Sequence, residues 1–327
     1  MRHYKALIPF ALAASLLATS ALAQTTLRVG WTTSDGEGDP YAIAAREFAG
    51  ALEELSPGAF EVEFFPNRQL GDEKEMLEGL AFGTLDVAVI TNAVIANVEP
   101  TFQLNDMPFL YASEAQAHEV LDGEVGETLL RALEDDGIVG LAFAEGGFRH
   151  MLNNAKPVTA PADVEGVKYR VMQNPVFIEM FQSLGGNAVP MAWGEVYTAV
   201  QQGTIDGLEI PVAVIKSNNY ADVVEYLSLT RHTYSALGLL MSQRTYQGLS
   251  EEEQATVREA ARIAADRQRA KVGEDAASIV EALRAEGMTV NEVADPAAFR
   301  ELVRPVYDRF RDEVGAELFD KALAAVE

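Results

Sequence analysis

Apolar and polar positions change period several times along this chain, and the changes mark out elements. Residues 26–31 (TLRVGW) alternate with period two and predict a first strand. Asp39-Pro40 then sets a cap and a first-turn proline ahead of Ala45, Phe48 and Leu52, a helix that stops at Ser56-Pro57-Gly58. A strand over residues 60–65, a helix over residues 73–82 closed by Gly83, and a buried strand over residues 85–90 complete a βαβαβ run. Such a run predicts a sheet with parallel strands and covering helices. Helical spacing follows at residues 114–121 and 125–133, then a strand over residues 138–143 and a crossover at Gly146-Gly147. A strand over residues 234–241 returns to the first half. Ser250-Glu251-Glu252-Glu253 is a capping box, and behind it Val257, Ala261, Ala264, Gln268, Val272, Ala276, Ile279 and Leu283 form one stripe. That pattern predicts a helix of about 37 residues and about 55 Å, longer than one lobe, with Gly273 as the place for a bend. Helices over residues 296–310 and 314–326 close the chain.

The densest chemistry lies in residues 166–211, GVKYRVMQNPVFIEMFQSLGGNAVPMAWGEVYTAVQQGTIDGLEIP. Val167, Tyr169 and Val171 alternate with Lys168, Arg170 and Met172, which puts Arg170 near the carboxyl end of a short strand. Asn174-Pro175 caps a helix carrying Val176, Phe177, Met180, Phe181 and Leu184. Ligands of open α/β sheets settle beyond the carboxyl ends of strands, where helix N-termini offer free N–H groups. A guanidinium there presents a donor fork matched to a carboxylate, so the expected partner is an organic anion.

Composition narrows the setting. Arg2 and Lys5, an apolar run over residues 6–17 and Ala21-Leu22-Ala23 read as a signal peptide over residues 1–23, which implies a periplasmic address. The remaining length suits two lobes with two modest cores. No cysteine is present, so neither a disulfide framework nor a thiolate site is available. The formal charge is −25, about −27 without Arg2 and Lys5, and no basic run offsets it. Nucleic acid and anionic membrane are therefore excluded as partners, and no later stretch suits direct membrane insertion. Local arginines decide the anion site because salt screens the acidic shell over about 8 Å.

The block resembles the solute-binding subunit of tripartite ATP-independent periplasmic (TRAP) transporters, the dicarboxylate-binding-protein (DctP) type. The likeness rests on Gly166 to Val171, Leu184-Gly185-Gly186, Pro190 to Tyr197 and Gln202 to Glu209, with support from Gln69 to Glu73 and Gly83 to Asp86. It implies an α/β, two-lobed periplasmic-binding-protein fold with a long helix spanning both lobes. The division expected is residues 24–146 in lobe I, 147–233 in lobe II, 234–273 back in lobe I with half the long helix, and 274–327 as its second half and helices on lobe II. The resemblance further implies a monomeric receptor that hands a small organic acid anion to a small and a large membrane subunit.

Residue by residue, the resemblance makes Arg170 the carboxylate clamp and Arg149 a second arginine facing the ligand or a hinge ion pair. Trp193 lies against the ligand. Glu209 buffers Arg170, binds a hydroxyl or ammonium, or holds a cation; no cofactor is expected, and a cation bound with the ligand is left open. Ile210 stands where the family usually has a polar or aromatic group, and Met172 adds apolar surface beside it, so the ligand expected is a small monoanion with an apolar or lightly hydroxylated body. Asn174, Glu73 and Asn92 complete the candidate set, while Glu195 reads as a first-turn acid stabilised by the helix dipole alone. A secreted enzyme is the main competitor, but neither G-x-S-x-G nor H-E-x-x-H occurs, and only His118, His150 and His232 follow the leader. A receptor of an ATP-driven importer fits the long helix and the motif block less well. A periplasmic sensor would share the same binding chemistry.

Overall fold

The computed structural model describes residues 24–326, so the expected signal peptide lies outside the described residues. In chain order the elements are β1 (Thr25–Gly30), α1 (Pro40–Leu55), β2 (Phe60–Phe65), α2 (Glu73–Phe82), β3 (Val87–Thr91), α3 (Asn92–Ile95), α4 (Glu114–Asp122), α5 (Glu124–Ala132) and β4 (Ile138–Asn153). They continue with β5 (Lys168–Val171), α6 (Pro175–Ser183), β6 (Asn187–Pro190), α7 (Trp193–Gln201), β7 (Gly207–Pro211), α8 (Val212–Ser217), β8 (Tyr226–Ser242) and α9 (Gln243–Gly248). The last are α10 (Glu251–Ala285), β9 (Thr289–Glu292), α11 (Pro296–Val314) and α12 (Ala316–Val326).

Among the described residues nine strands join one sheet, in the order β2-β1-β3-β8-β4-β7-β5-β6 with β9 added beside β8. The parallel trio β2-β1-β3 forms one lobe and the parallel trio β7-β5-β6 the other. Between them run β8 and β4, antiparallel and paired from Ile138↔Ser242 to Asn153↔Tyr226. β8 is about twice and β4 nearly three times as long as the hydrophobic runs foretold, because each passes through both lobes. The boundaries expected near residues 146 and 233 fall inside them, beside a register shift at Glu145/Gly147 where Gly147 has φ +95°. Only glycine adopts that backbone without strain.

Continuity of the sheet changes the expected cores. There are two, but they divide by sheet face rather than by lobe: along β8, Leu237, Leu239 and Met241 face one and Tyr234, Ala236 and Leu240 the other. The first face is covered by α1, α7, α8 and α10, the second by α2, α4, α5, α6, α11 and α12.

α10 begins at the expected capping box and runs 35 residues without a break through Gly273, about 52 Å. Val257, Ala261, Ala264 and Val272 bury against α1 and β4, and Leu283 buries near β9, with an exposed stretch around Gly273 between. Gln268, the polar member of the stripe, clamps the β4 bulge: its Oε1 accepts from Glu145 N at 2.9 Å and its Nε2 donates to Glu145 O at 2.6 Å.

Candidate functional site

The carboxyl ends of the parallel strands converge on a cavity between the lobes. Thr32 and Thr33 follow β1, Thr91 ends β3, Arg170 lies in β5, and Ile210 and Pro211 end β7. Tyr41, Glu73, Arg149, Met172, Trp193 and Val214 complete the wall around a narrow cavity. The lobes meet around it. Asn97 donates to Gln173 O at 2.9 Å, and Ser34 N donates to Asn218 Oδ1 at 3.1 Å.

Arg170 is 2 % exposed, yet no carboxylate pairs with it among the described residues. Its Nε and Nη2 donate to Met191 O at 2.9 and 2.7 Å, and Nη1 approaches Met172 Sδ at 3.4 Å. Three of five donors are thus engaged, which leaves one N–H on each terminal nitrogen for an occupant of the cavity. Burial pushes the guanidinium's pKa down, partly offset by the more distant Glu209. Even so an arginine stays charged, and an unpaired charge in this setting is held ready for an anion.

Arg149 has the opposite surroundings. Its Nε and Nη2 donate to the Glu209 carboxylate in a two-bond pair, Nη2 also reaches Glu209 O at 2.6 Å, and Nη1 donates to Ser235 at 3.3 Å. Burial would lower its pKa, but Glu209 more than offsets this. Behind Glu209, His232 Nε2 lies at 3.3 Å, and its Nδ1 lies 2.7 Å from Thr230 Oγ1, which accepts from Met151 N. Burial lowers the pKa of His232, so the ring is neutral: Thr230 donates to Nδ1 and Nε2–H donates to Glu209. Glu209 therefore pairs directly with Arg149 and acts on Arg170 only through its charge, and it is fully buried behind the cavity wall.

The other candidates separate into two groups. Met172, Trp193 and Ile210 line the cavity with Pro211 and Val214, and Trp193 packs at a tilt against Tyr220 with ring centres 5.5 Å apart. Glu73 faces them from lobe I. Its Oε1 accepts from Thr91 N and Thr91 Oγ1, both at 2.7 Å, and burial raises its pKa against the pull of these bonds and of Arg170. Asn92 and Asn174 do not reach the cavity. Asn92 donates to Phe102 O at 2.8 Å and accepts from Asn105, while Asn174 caps α6 through Val176 N and donates to Ala93 O and Asp106 Oδ2 at 3.0 and 2.9 Å.

Sequence reasoning missed the hydroxyl wall of Thr32, Thr33, Tyr41 and Thr91, in which Tyr41 Oη and Thr91 Oγ1 lie 2.5 Å apart. The available signal was position, since Thr32 and Thr33 directly follow the first predicted strand. Among the described residues no cluster of three or more His, Asp or Glu has a metal-holding arrangement, and no helix is long and apolar enough to cross a membrane.

A cavity between the lobes that carries a buried guanidinium without a paired carboxylate among the described residues has the chemistry of an anion site. The chain belongs to the bacterial extracellular solute-binding protein family 7 (DctP), whose model matches residues 32–313. It is similar to the 2,3-diketo-L-gulonate-binding periplasmic protein YiaO of Escherichia coli, 37 % identical over 312 residues, 94 % of each chain. Among solved structures it resembles a TRAP periplasmic solute-binding protein from Bordetella bronchispeptica whose density was interpreted as pantoate: TM-score 0.88, 40 % identity, 92 % of this chain and 99 % of that one. A Polaromonas sp. JS666 relative bound to D-erythronate has TM-score 0.89 at 36 % identity over the same shares. The fold is thus the two-lobed one, and the chain is a TRAP-type solute-binding protein and not an enzyme.

Proposed function

We propose that this protein captures a short hydroxy monocarboxylate in the periplasm and passes it to the small and large membrane subunits of a TRAP transporter. The observation that carries the reading is Arg170, a buried cation with two free N–H groups and no carboxylate partner among the described residues. The ligand carboxylate takes both, at a site where an ammonium would match only one. Arg149 supports the wall and adds at most its remaining N–H.

The cavity's two walls suggest the body of the ligand. Lobe II offers Met172, Trp193, Ile210, Pro211 and Val214, whereas lobe I offers Thr32, Thr33, Tyr41, Glu73 and Thr91. An acid with one apolar side and one or two hydroxyls on the other satisfies both, as pantoate would. A long sugar acid would leave hydroxyls unpaired on the apolar wall at about 1 to 3 kcal/mol each. Relatives bound to D-erythronate and D-glucuronate mark the range to test. Thermal shift with pantoate, erythronate, branched hydroxy and keto acids, C4 dicarboxylates and uronates should single out the short hydroxy acids. At 100 times its dissociation constant a ligand stabilises the native state by about 2.7 kcal/mol. A response to uronates alone would overturn the apolar wall as the selecting feature, and no response to any acid would overturn the clamp.

A further inference from the structure

We infer that Asp39 is a latch across the cleft, a positioning residue that sets how long a ligand is held without touching it. The inference rests on the binding function proposed above. Asp39 is fully buried and caps α1, and its two oxygens have separate work. Oδ1 serves lobe I alone, accepting from Thr33 Oγ1 at 2.6 Å, Tyr41 N at 3.0 Å and Ala42 N at 3.3 Å. Oδ2 reaches lobe II, accepting from Ser217 Oγ at 2.8 Å and Asn218 Nδ2 at 3.2 Å, with Ser34 Oγ at 3.4 Å. Asn218 closes the circuit by accepting from Ser34 N.

Among the described residues no lysine, arginine or histidine pairs with this carboxylate, and burial raises its pKa against the pull of its hydrogen bonds. A buried carboxylate without a cation depends on such donors. When the lobes part, Ser217 and Asn218 leave Oδ2 to water; when they close, they replace it. Thr33 lines the ligand cavity and donates to Oδ1, so the latch is built onto the ligand's own wall. A helix cap needs only Oδ1. The commitment of Oδ2 to two residues nearly 180 positions away, 178 and 179, is what a purely local role leaves unexplained.

Apparent affinity scales with the population of the closed, binding-competent state, and most such changes appear in the dissociation rate. The test is the double variant Ser217→Ala/Asn218→Ala, which strips the lobe II donors and spares the α1 cap. The chain has no cysteine, so spin labels at Glu61→Cys and Gln201→Cys, exposed and in opposite lobes, report closure directly. The variant should lengthen the label separation with and without pantoate. It should also speed pantoate release about tenfold at an unchanged association rate. Label distances equal to wild type would overturn the latch. If pantoate and the rest of the acid panel fail to bind the wild type, the proposed ligand class falls, but the ligand-free distances still decide the latch.

Discussion

Arg149 and Arg170 are the same residue type, 3 % and 2 % exposed, on strands separated only by β7. Their surroundings differ in where the counter-charge comes from. Around Arg149 the protein supplies it, through Glu209 braced by a neutral His232. Around Arg170 the nearest acceptors are a backbone carbonyl and a thioether, and no carboxylate of the described residues pairs with it. A buried arginine is therefore structural or ligand-binding according to its partners, and neither burial nor arginine itself says which. β7 enforces the difference: Glu209 lies on the fully buried side, and the next residue, Ile210, faces the cavity.

The largest expected effect comes from breaking the closed pair. Arg149→Ala leaves Glu209 buried with only a neutral imidazole, and losing one partner of a buried pair costs about 3 to 5 kcal/mol. Urea unfolding should show that loss without any ligand present. A variant within about 0.5 kcal/mol of wild type would mean that the pair is not structural, and the contrast between the arginines would collapse.

Next in size is Arg170→Lys, which should weaken ligand binding by at least about 2 kcal/mol, nearly as much as Arg170→Ala, since an ammonium cannot reproduce a planar two-bond clamp. Its ligand-free melting temperature should hold or rise, because a buried cation without a carboxylate partner contributes little stability. Calorimetric titration and melting read the two halves separately; loss of stability with retained binding would reverse the assignment of the two arginines.

Much of this contrast was legible in the sequence, and the reason it was incomplete is physical. Strand alternation located Arg170, and the capping box with its stripe located α10, since both patterns depend only on neighbours within a turn or two. The pairing of Arg149 with Glu209 joins residues 60 positions apart, which no local pattern records. Asn92 and Asn174 sit beside the right loops but spend their amides on backbone and on Asp106, a satisfaction problem visible only in three dimensions. The hydroxyl wall was missed because threonine and tyrosine fit strand and helix patterns without any function. β4 and β8 ran on past their predicted ends because small and polar residues such as Gly146, Ser228 and Thr230 are buried in the shared centre of the sheet, where a hydrophobic count expects a boundary.

A smaller effect concerns Glu73, which burial holds with a raised pKa and which Arg170 pulls down again. An incoming carboxylate takes up the Arg170 charge and adds its own, so Glu73 binds its proton more tightly in the complex than in the free protein. Protons are then taken up on binding. Affinity should accordingly rise as pH falls and decline as pH rises through the range where the complex holds that proton, by less than the single-proton limit of tenfold per unit. Glu73→Gln should flatten this profile, and calorimetry in buffers of different ionisation enthalpy should register the uptake. A flat wild-type profile would mean that Glu73 does not sense the occupant of the Arg170 site.

The smallest expected effect tests the strand between the arginines. Ile210 is 2 % exposed and lines the cavity one residue after Glu209. Ile210→Val removes one methylene from the apolar wall while keeping the β-branched shape that β7 favours, so the Arg149 pair behind it should be undisturbed. A ligand whose branched body packs there should lose about 0.8 kcal/mol, roughly fourfold in affinity. Erythronate, unbranched and hydroxylated throughout, has no methyl group to lose contact and should change by less than about twofold. The informative quantity is the ratio of the two changes, because any general loosening of the lobes weakens both acids alike and cancels. Equal losses would place the ligand's body against the hydroxyl wall of lobe I instead of against β7, leaving the Arg170 clamp intact but removing Ile210 as a determinant of which acid it holds.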